Sequence, residues 1–241
     1  MTTQPADARI QAQRDYYART AEHYDSMHMS GVDEHQFALS AFAGMVRMLG
    51  ADSVLDVGAG TGRAIDALKK ELPDSRLVGV EPVAALREVG HQRGIPADQL
   101  VDGDALALPF PDNSFDFVIE TAVLHHVPDP ARAVREMARV ARKGVLISDS
   151  NKFGQGRPAV RWAKQVIGAL GLWNPLIWLT TGGKMSKWSE GDGVYFSYSV
   201  FDNLDELTRE FPRLIWLTTS PLQGTDIKRG TPQVAVLALK Q

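Results

Sequence analysis

The chain has 241 residues, 44% of them apolar, and a formal net charge of −3. That is enough apolar material for one large core and argues against disorder, while the slight negative charge supplies no basic field for holding nucleic acid. The absence of cysteine removes disulfides, thiolate metal sites and cysteine nucleophiles, and fits a reducing compartment.

In chain order, residues 1–50 read as a helical cap, with no apolar leader core in "MTTQPADARIQAQRDYYARTAEHYD". "SVLDVG" is an expected first strand and "GRAIDALKKEL" its crossover helix; "RLVGVEP" is a second strand, followed by a helix near Val83 to Gln92. "LVDGDA" and "FDFVIET" follow as strands, then a helix in "DPARAVREMARVAR" that Asp129 and Pro130 start, and a strand in "GVLISDS". This alternation predicts a parallel sheet with helices on both faces. Residues 151–199 interrupt it with four of the five tryptophans, Trp162, Trp173, Trp178 and Trp188, and are expected to form a helical lid. The helix "DNLDELTREF" resumes the sheet domain, taken as 51–150 with 200–241. "RLIWLTTS" and "QVAVLALK" read as a terminal hairpin, so the last strand is expected antiparallel. The run from Val166 to Leu179 is broken by Asn174 and Pro175 and is shorter than the roughly 20 residues of a membrane span. A soluble, cytoplasmic protein without stable membrane insertion is expected.

The stretch "VLDVGAGTGRA" hands a strand to a helix through glycines, a device that aims backbone N–H groups at a nucleotide-like ligand. The dinucleotide fingerprint wants a glycine where Arg63 stands, which argues against a dehydrogenase. Asp56, at the strand end, would repel a pyrophosphate and attract an ammonium and a sulfonium, favouring S-adenosylmethionine. Glu81 ends the second strand at the distance suited to ribose hydroxyls, and Asp104 with the Ala105 N–H suits an adenine edge.

Together "VLDVGAGTG", "GVEP", "GDALALPFPDNSFDFVIETAVLHHVPD" and "GVLISDS" resemble the class I S-adenosylmethionine-dependent methyltransferases, in the type 11-like branch acting largely on small molecules. The resemblance covers roughly Tyr16 to Ser150 and implies a Rossmann-like α/β fold, with a seven-stranded, mostly parallel sheet and an antiparallel last strand. It implies that Asp56, Gly58 and Gly60 line the methionine part, Glu81 the ribose, and Asp104 with Ala105 the adenine, with Pro82 a further cofactor contact. Glu120 and Thr121 would flank the sulfonium, and the N-terminal helix would close over it through Tyr16, Tyr17 and Tyr24. S-adenosylhomocysteine would be the product.

Near the methyl donor, His125 and His126 are the candidates for catalysis, His125 first, because methylation of a hydroxyl or ammonium is helped by a base of near-neutral pKa. His28, Trp173, Trp188, Tyr195 and Tyr198 are candidates for contact with a partly apolar small-molecule acceptor beneath the lid. A hydroxyl oxygen is the expected methyl acceptor, with nitrogen or carbon as alternatives. Reversible membrane contact through "VIGALGLWNPLIWL" and a non-catalytic cofactor-binding partner protein are further readings. No metal ligand set is expected, and "ETAVLHH" lacks the Pro-Pro-Tyr arrangement of nucleic-acid amino methylation.

Overall fold

The computed structural model describes residues 5–24, 34–220 and 226–240. Strands are β1 Ser53–Val57, β2 Arg76–Val80, β3 Leu100–Val101, β4 Phe115–Thr121, β5 Ala141–Ser150, β6 Ser186–Ser189, β7 Gly193–Phe196, β8 Arg213–Thr218 and β9 Gln233–Leu239. The main helices are α1 Pro5–Thr20, α2 Glu34–Leu49, α3 Arg63–Glu71, α4 Ala84–Gln92, α5 Pro130–Val140, α6 Pro158–Ala169, α7 Trp173–Thr180 and α8 Leu204–Glu210.

Seven strands form one sheet in the order β3-β2-β1-β4-β5-β9-β8. β1 to β5 run parallel, and β9 lies antiparallel between β5 and β8, as the terminal hairpin implies. Every residue of β1 is buried, which is the pattern of a strand covered on both faces. Alternation sends Leu55 and Val57 into one core with Val134 and Met137 of α5 and Leu207 of α8. Val54 enters the opposite core with Phe42 and Val46 of α2 and Ile65 and Leu68 of α3.

Local signals act where expected. The Asp129 side chain accepts from Arg132 N at 2.9 Å, with Pro130 in the first turn, so α5 starts at a satisfied cap. The third strand is shorter than "LVDGDA": Asp104 Oδ1 accepts from Leu106 N at 2.8 Å, and this side-chain turn takes the chain out of the sheet. The insert is not wholly helical. After α6 and α7 it forms the hairpin β6–β7, paired from Ser186↔Phe196 to Ser189↔Gly193.

Candidate active site

At the end of β1 the chain turns through Gly58 (φ 74°) and Gly60 (φ 56°), left-handed conformations that glycine adopts without strain. Gly58 N and Ala59 N both donate to the Val80 carbonyl, at 2.9 and 3.0 Å, which pins the turn against β2. The N-terminus of α3 then faces the strand ends. Glu81 is buried beside this turn, its Oε2 accepting from Gly60 N at 3.0 Å and its Oε1 from Val83 N at 2.8 Å. Burial pushes its carboxyl up to about 7 despite those two bonds. Burial also pushes Asp56 up to about 7, helped by the Glu81 charge and opposed by Arg63. Two acids so close and so dry favour a guest that brings positive charge or hydroxyl donors.

These groups line a trough along the strand ends. One end is walled by Glu81, Pro82, Asp104 and Ala105, the other by Asp56, Ala59 and Arg63, with Gly58 common to both. Tyr24 and Thr121 border both ends and also a neighbouring cavity of about 710 Å³ beneath the insert. Their shared position makes this the passage between the two spaces. Ala122 follows Thr121 with φ 60°, a strained backbone for a residue bearing a Cβ, and its N–H donates to Ser148 O at 2.8 Å.

The histidine pair sits in a short 3-10 turn at this passage. His125 Nδ1–H donates to Asp149 Oδ1 at 2.7 Å, and Nε2 faces Asp192 Oδ2 at 3.3 Å. Although burial opposes the charge, these two carboxylates outweigh it and raise His125 to about 10, so it is an imidazolium at neutral pH. His126 differs: burial and the neighbouring His125 charge hold its pKa down. Its Nδ1–H donates to Val194 O at 2.6 Å, and Nε2 accepts from the Tyr17 hydroxyl at 3.0 Å. One ring nitrogen of each histidine and an Asp192 carboxylate oxygen fall within 4.8 Å of one another, a ligand set of the kind that suits a divalent metal. Within the protein the same groups are linked by hydrogen bonds to one another, to Tyr17 and to Asp149.

Of the residues expected from sequence, the structure brings Tyr24, Asp56, Gly58, Glu81, Pro82, Asp104, Ala105, Thr121 and His126 onto the trough, and Gly60 touches it through the Glu81 bond. His125, Trp173, Tyr195 and Tyr198 line the larger cavity. Asp104 is also held by Arg14, whose guanidinium donates to Oδ2 at 2.8 Å. Three placements correct the expectation. Tyr16 turns away from the trough: its hydroxyl donates to Glu190 O at 2.7 Å and its ring meets Trp188 edge-on. Trp188 is half exposed on the outer side of that contact and lines neither space. Glu120 lies buried beneath the passage, its Oε2 accepting from Val123 N at 3.0 Å, and burial with the nearby Asp149 charge raises its pKa well above normal. The expected base, His125, is correspondingly held protonated rather than free. His28 lies outside the described residues. Sequence reasoning missed Gln13, Asp149 and Asp192; the turn "EGDG" between two short polar-apolar runs was the available signal for Asp192.

The sequence and the fold are similar to those of known proteins. Residues 55–148 match the family described as a methyltransferase domain. A demethylmenaquinone methyltransferase from Roseiflexus castenholzii is 33% identical over 170 residues, covering 67% of this chain and 69% of that one. Among solved structures the chain is similar to a SAM-dependent methyltransferase, possible histamine N-methyltransferase, from Thermotoga maritima, with a TM-score of 0.59, 19% identity and coverage of 95% and 100%. It is likewise similar to magnesium protoporphyrin IX methyltransferase from Synechocystis, solved with bound SAH, with a TM-score of 0.58, 15% identity and coverage of 97% and 100%. With an acid-lined glycine turn, the sheet order and a curated relative all in agreement, the chain belongs to the class I S-adenosylmethionine-dependent methyltransferases, in the type 11 branch.

Proposed function

We propose that the enzyme transfers the methyl group to a hydroxyl oxygen of a small, partly apolar acceptor held beneath the insert. The supporting observation is the passage: Tyr24 and Thr121 border both the trough and the larger cavity, beside the His125 imidazolium. A cavity of about 710 Å³ lies in the range of small-molecule sites, and its walls mix Trp173, Ile177, Tyr195 and Phe196 with charged groups.

S-adenosylmethionine supplies an electrophilic methyl carbon on a positively charged sulfur. On this reading Asp56 and the Gly58–Gly60 turn hold the methionine portion, Asp56 attracting its cationic groups. Each Glu81 oxygen keeps a second lone pair beyond its backbone bond, enough for the ribose hydroxyls. Asp104 and Ala105 present an acceptor and an N–H to the base, while Arg14 and Tyr17 cover that end.

His125 donates from Nε2 to the acceptor oxygen, exchanging Asp192 for the incoming group, and so stabilises the oxyanion. Asp149, beneath it, keeps the ring charged and oriented. The acceptor therefore carries a hydroxyl acidic enough to ionise beside a cation, as a phenol or enol does. Its proton is lost to solvent on binding beside His125, and the oxygen–methyl bond then forms as the sulfur–methyl bond breaks, the sulfur leaving as a neutral thioether. In such an anion the carbon next to the oxygen is also nucleophilic. The likeness to a demethylmenaquinone methyltransferase favours methylation at that carbon as a second reading.

The test supplies carbon-13 methyl-labelled S-adenosylmethionine with a panel of phenols, quinols, enols and amines, and locates the label by mass spectrometry and carbon NMR. An O-methyl product is expected. A C-methyl product moves the assignment to the second reading, and labelling of amines alone overturns both.

A further inference from the structure

The insert carries two apolar faces, and the site uses only one. Trp173 and Ile177 of α7 point into the cavity. On the same helix Trp178 is 58% exposed and Leu179 71%. Helix α6 has no buried residue at all. Its Trp162, Val166 and Ala169 recur at i, i+4 and i+7 on one exposed stripe, which Leu170 extends. Trp162 is 69% exposed and Leu170 66%. A globular helix normally turns such a stripe inward, so exposed tryptophan and leucine side chains on both helices call for a partner.

Charge identifies that partner. Residues 151–199 contain six lysines and arginines against Glu190 and Asp192, a net of +4 in a chain whose total is −3. Lys152 is buried against Asp202 and Lys164 lines the cavity, so the exposed cations of the outer face are Arg157 and Lys184. Both lie among the apolar residues, and Lys187 is exposed at the edge of the cavity. Lysine and arginine around exposed tryptophan and leucine make up the pattern of a surface that sits in the headgroup region of an anionic bilayer. A second copy is a poor match, since an isologous contact would bring the same exposed cations, Arg157 and Lys184, together on both sides. No helix among the described residues is long and apolar enough to span a membrane, so the contact is peripheral.

We propose that the outer face of the insert, built from α6, α7 and the loops after them, docks on an anionic phospholipid bilayer and that the acceptor reaches the cavity from that bilayer. The docking stands on exposure and charge alone; the delivery of a lipid-borne acceptor rests on the function proposed above. With the inner face of α7 walling the cavity and its outer face on the lipid, an apolar acceptor passes between them without crossing water.

The experiment is co-sedimentation of the full chain with phosphatidylcholine vesicles, with and without one quarter phosphatidylglycerol, together with tryptophan fluorescence. Binding only to the anionic vesicles, with a blue shift, is expected. Trp162→Ala with Trp178→Ala, and separately Arg157→Glu with Lys184→Glu, should each weaken it on the order of tenfold or more. These exposed positions leave cofactor affinity, measured by calorimetry, unchanged, which shows that the variants are folded. Equal binding to neutral vesicles, no binding, or unaltered binding by both variants overturns the proposal. So does concentration-dependent self-association that removes the tryptophan exposure without vesicles. None of these readouts needs turnover, so failure to methylate any phenol or enol tests the acceptor reading separately. Vesicle binding without faster methylation of a vesicle-borne than of a soluble phenol would leave the docking standing and remove lipid delivery.

Discussion

The donor trough and the acceptor cavity share Tyr24 and Thr121 but are made differently. The trough is built largely from backbone: glycine turns, N–H groups and acids at the ends of strands whose register the sheet imposes. The cavity is built from side chains of an insert, fastened by the contacts of Asp192 and Gln13 rather than by a sheet. One region keeps its shape because the fold dictates it, and the other is free to vary with the acceptor.

The comparison breaks most visibly at His125. His125→Ala should lower kcat by about 100-fold or more while cofactor affinity stays within about twofold; a parallel loss of cofactor binding would show that the two regions are not separable. Glu81→Ala should do the reverse, weakening S-adenosylmethionine binding by about 1.5–3 kcal/mol in calorimetry through lost charged hydrogen bonds. An unchanged affinity would take Glu81 out of the site.

Asp192→Asn sharpens the boundary. It removes one of the two charges that raise His125, so the histidine should titrate lower in proton NMR, with a smaller loss of kcat, on the order of tenfold, than His125→Ala gives. A His125 titration that does not move would show that Asp149 alone sets it.

The smallest effect concerns pH and the trough alone. Asp56 and Glu81, both raised to about 7 by burial, must be ionised to attract a cation. Cofactor affinity should therefore fall several-fold as pH drops from 8 to 6. The sign for stability is opposite: these folded carboxyls hold protons that the unfolded chain has released, so they make the free protein less stable as pH rises from the ordinary carboxyl range through 7. Added cofactor should consequently raise the melting temperature more at pH 8 than at pH 6. An equal shift at both values would show that these acids do not face the bound cation.

Legibility followed the same division. Asp56, Glu81 and Asp104 could be placed from sequence because each lies at or just beyond the end of a strand, and strand ends fix position whatever the side chains around them. The cap of α5 and the terminal hairpin were readable for the same local reason. Tyr16 and Tyr17 were not separable: neighbours on a helix point about 100° apart, and only packing against the hairpin decides which one faces the trough. The hairpin itself has four-residue strands, "SKWS" and "GVYF", too short to carry a periodicity, so Asp192 had no visible partner. Glu120 reads as a site acid by position, yet the pleat buries it below the passage.

Gln13 gives this architecture a kinetic consequence. From α1 its side chain accepts from Val194 N and donates to Asp192 O at 3.0 Å, while Tyr17, one turn on, reaches His126. The N-terminal helix and the insert hairpin are thus bolted together beside the passage. Turnover limited by the parting of these two elements should slow with solvent viscosity and show a burst in the first cycle.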